Sequence, residues 1–76
     1  MSFVTVAERV HDECKCPEHD IELNHITATV HMEPDGGGEA FVYFGDWEEE
    51  WFFESVRDIE ELKQKTWERF IARSTI

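Results

Sequence analysis

Gly45-Asp46-Trp47-Glu48-Glu49-Glu50-Trp51-Phe52-Phe53-Glu54 is the stretch on which the fold of this chain turns. Two readings compete. In one, Gly45-Asp46 makes a tight two-residue turn and Trp47 to Glu54 returns as a strand. Trp47, Glu49, Trp51 and Phe53 then share one face, and Glu48, Glu50, Phe52 and Glu54 the other. In the second reading Asp46 caps a helix, Glu49 completes a capping box, and no Gly or Pro stops the helix before about Arg73. The strand is preferred. Trp-Phe-Phe favours extended backbone, and Ser55-Val56-Arg57-Asp58 reads as a fresh helix start.

Downstream of that start, Val56, Ile59, Leu62, Trp67, Phe70 and Ile71 fall on one broad face of a helix over about 56–73. Asp58, Glu60 and Glu61 open it and Lys63, Lys65, Arg69 and Arg73 follow, which suits the helix macrodipole. Upstream, Ile26, Ala28, Val30 and Met32 alternate with Thr27, Thr29 and His31, the period of a half-buried strand. Pro34-Asp35-Gly36-Gly37-Gly38 is turn chemistry, and Ala40 to Phe44 returns as the second strand of a hairpin. Ile21 and Leu23 have the opposite parity to Ile26, which predicts a bulge or bend near Asn24. At the N-terminus, Thr5 and Glu8 form a capping-box pattern, and Phe3, Val6, Ala7, Val10 and Cys14 line one helical stripe. A helix over about 5–15, stopped by Pro17, follows. The expected architecture is α+β in the order α-β-β-β-α, a small antiparallel sheet of two or three strands in a single domain over 1–76.

Seventy-six residues allow one small domain with a modest core. Ten aromatics and 41% apolar residues separate the chain from an acidic disordered tail. No run is long enough to span a bilayer and no signal segment opens the chain. Two cysteines one residue apart make no disulfide framework, so a reducing cytoplasm is the expected setting. The charge is extreme and uneven. Residues 1–62 hold seventeen acids against three bases, and residues 63–76 hold four bases against Glu68. Nucleic acid and anionic membranes are excluded as direct partners, because phosphate would be repelled. A protein with a basic surface is favoured.

In the strand reading Glu48, Glu50 and Glu54 form a row of carboxylates, with Glu33, Asp35, Glu39 and Asp46 near the hairpin ends. Tyr43, Phe41 and Phe52 would face outward beside them, and aromatics among charges are common anchors of a protein interface. Carboxylates at such spacings can occupy pockets where Arg and Lys otherwise hold phosphates. In size, charge and lack of catalytic motifs the chain resembles the small acidic inhibitors of bacteriophages, anti-CRISPR proteins and other nucleic-acid mimics. The resemblance implies tight binding that blocks the DNA or RNA site of a host nucleic-acid-handling protein, in the host cytoplasm. The chain is expected to be a monomer or a homodimer, the latter burying the outward aromatics against its own copy. The alternative is charge that serves solubility, as in a protein adapted to high salt.

His11, Cys14, Cys16 and His19 carry zinc chemistry within nine residues, and a zinc-stabilised domain is a second alternative. Their spacing differs from that of common fingers, and the helical wheel places Cys14 in the core, so no metal and no cofactor are expected. His25 and His31 read as solvent-side strand residues. Ser2, Ser55 and Ser74 lie at an end, at a cap and at an end respectively, no carboxylate pair stands out, and Gly36–Gly38 lacks the lysine of a phosphate loop. No enzymatic activity is expected.

Overall fold

Short turns set the architecture. Asn24 and His25 both take positive φ (50° and 77°), the geometry of a two-residue hairpin turn whose twist matches its strands. Gly45 takes φ 60° at the first position of the Gly45-Asp46 turn. Between these turns the computed structural model, which describes residues 3–74, places β1 (Val4–Val10), β2 (Pro17–Leu23), β3 (Ile26–Met32), β4 (Gly38–Phe44) and β5 (Trp47–Phe53). One helix follows, α1 (Ile59–Ser74). Ser2 and the side chain of Ser74 lie outside the described residues. Every strand pairs antiparallel with its sequence neighbour, giving a five-stranded meander in the order β1-β2-β3-β4-β5.

The expected α-β-β-β-α order is therefore wrong: the sheet has five strands rather than two or three, and among the described residues there is one helix, at the C-terminal end. No helix covers residues 5–15; they form β1 and a loop. Val4, Thr5, Val6 and Val10 are β-branched, stiff at χ1 and suited to a pleated surface. The register of β1 on β2 shifts between Thr5 and Ala7, so Val6 is a bulge that breaks the alternation. Thr5 does not cap a helix; its hydroxyl accepts a hydrogen bond from Lys63 Nζ at 2.8 Å. The change of parity at Asn24 is a hairpin reversal rather than a bulge, and Pro17–Leu23 is a full strand. The β3–β4 hairpin and the β5 strand agree with the sequence reading.

One sheet face carries the core. Ile21, Leu23, Ala28, Val30, Ala40, Val42 and Trp51 point toward Val56, Leu62 and Phe70, all buried. α1 crosses β2, β3 and β4 on that side. Gly38 lets it approach closely, since a Cβ there would lie 2.8 Å from the Leu62 methyls. The helix begins one turn later than expected. Asp58 Oδ1 accepts the Glu61 amide at 2.9 Å, and Glu61 Oε1 reaches back to the Arg57 amide at 2.6 Å, a reciprocal cap.

The basic residues of α1 are largely absorbed by the fold. Lys63 is only 1% exposed and bonds Thr5 and Glu60. Arg69 lies 4.9 Å over the Trp51 ring. Arg73 lies 4.3 Å over Phe44 and pairs with Glu49. Complementing the helix dipole is thus the smaller part of what these side chains do.

Candidate functional site

Alternation along each strand puts a second set of side chains on the sheet face away from α1. Cross-strand register arranges them as three rungs running from β2 to β5. The first rung is Glu18, His31, Glu39 and Phe52. The second is Asp20, Thr29, Phe41 and Glu50. The third is Glu22, Thr27, Tyr43 and Glu48. Acids thus stand in two columns, on β2 and on β4–β5, with threonines and aromatics between them. Three strand spacings separate β2 from β5, about 14 Å, and successive rungs are about 7 Å apart.

The two columns differ electrostatically. On β2 the Arg9 guanidinium grips Glu18 at 2.7 Å and Asp20 at 2.9 Å, and Thr29 donates a further bond to Asp20 at 2.8 Å. Arg9 bonding holds the Asp20 carboxyl below its usual range and raises the guanidinium's own value. Arg9 thus engages two of the three acids of this column, while Glu22 is exposed beyond it. On the β5 side Glu48 and Glu50 are exposed, and their strand carries no base. Glu39 is half-buried, and its carboxyl is pushed up, first by burial and then by the charges of Glu33 and Glu50. The secondary part of that rise, from Glu33 and Glu50, reflects the carboxylates gathered around it. Tyr43 is 42% and Phe52 65% exposed in the middle of this field.

Each residue expected to bind a partner can now be placed. Glu39, Tyr43, Glu48, Glu50 and Phe52 share the open face. Glu33, Asp35 and Glu54 rim a shallow hollow of about 470 Å³ beside Phe52, at one end of the sheet. Asp35 is partly spent on its own turn, where it accepts the Gly37 amide at 2.9 Å. Asp46 lies at the opposite end, in the β4–β5 turn, apart from Glu33, Asp35 and Glu54. Glu18, Asp20 and Glu22 were missed, because residues 17–20 were not recognised as strand. Reading Pro17–Leu23 by alternation would have exposed them.

The cysteine–histidine set is rearranged. His11, Cys14 and Cys16 lie in the β1–β2 loop, closed by His11 N–H to Cys16 O at 2.9 Å and by Lys15 at φ 60°. His19 projects to the helix side of β2, where burial and then Lys63 lower its pKa and its Nδ1 has no partner. It cannot join Cys14. His31 on β3 takes that place, 8% exposed and 3.3 Å from Cys14 Sγ through Nε2. Cys14 is therefore neither in a helix nor in the core, and His31, although on the expected face away from α1, is buried there against Cys14 and His11 rather than open to solvent. The Cys16 thiol donates to Cys14 O at 3.6 Å, and its pKa is raised chiefly by a side-chain interaction with the Cys14 thiol.

No helix among the described residues is long and apolar enough to cross a membrane. Compared with protein families, with curated proteins and with solved structures, the chain matches none of them.

Proposed function

We propose that this is a non-enzymatic binding protein that inhibits a nucleic-acid-binding partner by presenting its acidic sheet face to the partner's basic site. One observation carries the reading. Glu39, Glu48 and Glu50 share an uncovered face with exposed Tyr43 and Phe52, where Arg9 is held by Glu18 and Asp20, while Lys63, Arg69 and Arg73 lie on the other side. The free charge on that face is consequently of one sign, with aromatic anchors inside it. Arginines and lysines shaped to hold phosphate would meet carboxylates at comparable reach. The phage-inhibitor resemblance in size and charge points the same way, and the partner is then a host protein.

The test is capture with immobilised protein from lysate, with duplex DNA and single-stranded RNA as competitors. Captured proteins should be nucleic-acid binders, and nucleic acid should displace them. Glu48→Lys, Glu50→Lys and Glu54→Lys together lie at exposed positions, so stability should change by only about 0.5 kcal/mol per site. Binding should fall far more, because each lost carboxylate–arginine contact costs about 2–5 kcal/mol where it is desolvated. Binding should also weaken with salt, screened over about 8–10 Å. Lys65→Glu is the proper control on α1, since reversing buried Lys63 would damage the fold. Full binding by the triple variant, with no competition by nucleic acid, would refute the reading.

A further inference from the structure

His11 Nδ1 lies 3.6 Å from Cys14 Sγ, and Cys14 Sγ lies 3.3 Å from His31 Nε2. One ligand atom from each of the three falls within 4.8 Å of the other two. Tetrahedral zinc with Zn–S near 2.3 Å and Zn–N near 2.0–2.1 Å sets its ligand atoms about 3.3–3.6 Å apart. Two edges of that tetrahedron are thus already formed. The third joins His11 to His31, whose ligand atoms lie within 4.8 Å and whose rings pack with centroids 4.6 Å apart.

We infer that His11, Cys14 and His31 form a zinc site joining the β1–β2 loop to the end of the central strand β3, with a solvent molecule as fourth ligand. This replaces the expectation of a metal-free chain, and the ligand set differs from His11, Cys14, Cys16 and His19. It stands independently of the acidic-face reading.

Three features beyond the distances support it. The loop is built in advance, by the His11–Cys16 and Lys15–His11 backbone bonds and the left-handed Lys15, so little ordering remains at binding. His31 Nδ1 faces Glu33 at 3.6 Å and Glu39 at 3.7 Å. Coordination at Nε2 would leave the ring proton on Nδ1, directed at those carboxylates, the arrangement that orients metal-bound histidines elsewhere. A dipositive ion would also relieve the crowding of Glu33 and Glu39. Two imidazoles and a thiolate suit a borderline-soft ion, and not magnesium or calcium, which prefer oxygen. Binding releases the Cys14 thiol proton to solvent.

The experiment is titration of the chelator-treated protein with zinc alone, followed by calorimetry, elemental analysis and thermal unfolding, and repeated with cobalt. Wild type should take up one zinc per chain with a rise in melting temperature. Cobalt should give a thiolate charge-transfer band and tetrahedral visible absorption. Cys14→Ser and His11→Asn lie in the loop and should keep the fold by circular dichroism while losing at least 100-fold in affinity. His31→Asn should do the same, and if it fails to fold the two loop variants decide. Glu39→Gln should weaken zinc about 10–100-fold. Cys16→Ser and His19→Asn should bind as wild type. Lack of stoichiometric uptake by wild type would overturn the inference. So would unchanged uptake by Cys14→Ser and His11→Asn, or equal losses in Cys16→Ser or His19→Asn.

Discussion

Asp20 and Glu39 sit on the same sheet face, two strands apart, and affect stability with opposite sign. Asp20 has its folded pKa lowered by Arg9, so the folded state favours its charged form. The stability it contributes is present above the ordinary carboxylate range near pH 4 and is lost as pH falls through the lowered value. Asp20→Asn should therefore lower the melting temperature at pH 7 and make little difference in strong acid. Glu39 is raised, so the folded state favours its neutral form. Its charge opposes folding at neutral pH, and the penalty disappears as pH falls through its raised value toward about 4. Glu39→Gln should raise the melting temperature at pH 7, measured with chelator present, and the gain should shrink toward pH 4. Matching losses for both variants at pH 7 would show that the two carboxylates share one role. Sequence alone could pair Glu39 with an outward face. It could not reveal that Arg9, placed in a helix by periodicity, reaches across to Asp20.

At the scale of elements, what was legible depended on how cleanly period matched burial. β3 alternates without interruption and Gly36–Gly38 marks the turn into β4, so that hairpin followed from the residues; in β5 the Glu48–Glu50 run breaks the alternation, and the strand rested on Trp51-Phe52-Phe53 instead. α1 was also legible, although its start lies at Asp58 rather than Ser55, because Asp58 is the residue that reaches the Glu61 amide. Asp58→Ala should cost about 1 kcal/mol in denaturant unfolding. β1 was misread because Phe3, Val6, Ala7 and Val10 imitate a helical stripe once the bulge at Val6 has broken the strand period. In the structure Val6 and Val10 are exposed, so the stripe was not a core. Packing between elements gives a further test. Gly38→Ala should destabilise through its clash with Leu62, and Leu62→Ala should cost about 2–5 kcal/mol through the cavity it leaves. Combined, the two should cost less than their sum, since the added methyl occupies space vacated by Leu62. Strict additivity would mean that α1 does not press on β4 at Gly38.

For the molecule as a whole, charge and topology divide the labour. The acid excess was plain from composition, and so was the kind of surface it would make. Which acids remain free was not, because that depends on Arg9 and Arg73 finding partners remote in sequence. The cysteine–histidine cluster was half legible: residues 11–16 announced themselves, whereas His31 reaches Cys14 only after the chain reverses between β2 and β3.

The nearest-neighbour meander also fixes an order of events as the chain is made. Each strand can pair as soon as its predecessor is available, so the sheet assembles from local contacts, a favourable case for rapid folding. Yet the apolar side of that sheet has no cover until residues 59–74 have emerged, because α1 alone supplies Leu62 and Phe70. Up to that moment the nascent protein displays Ile21, Val30, Val42 and Trp51 to its surroundings, a surface that invites association. A fragment ending at Asp58 should bind hydrophobic dyes and aggregate, and adding the missing helix as a separate peptide should restore solubility.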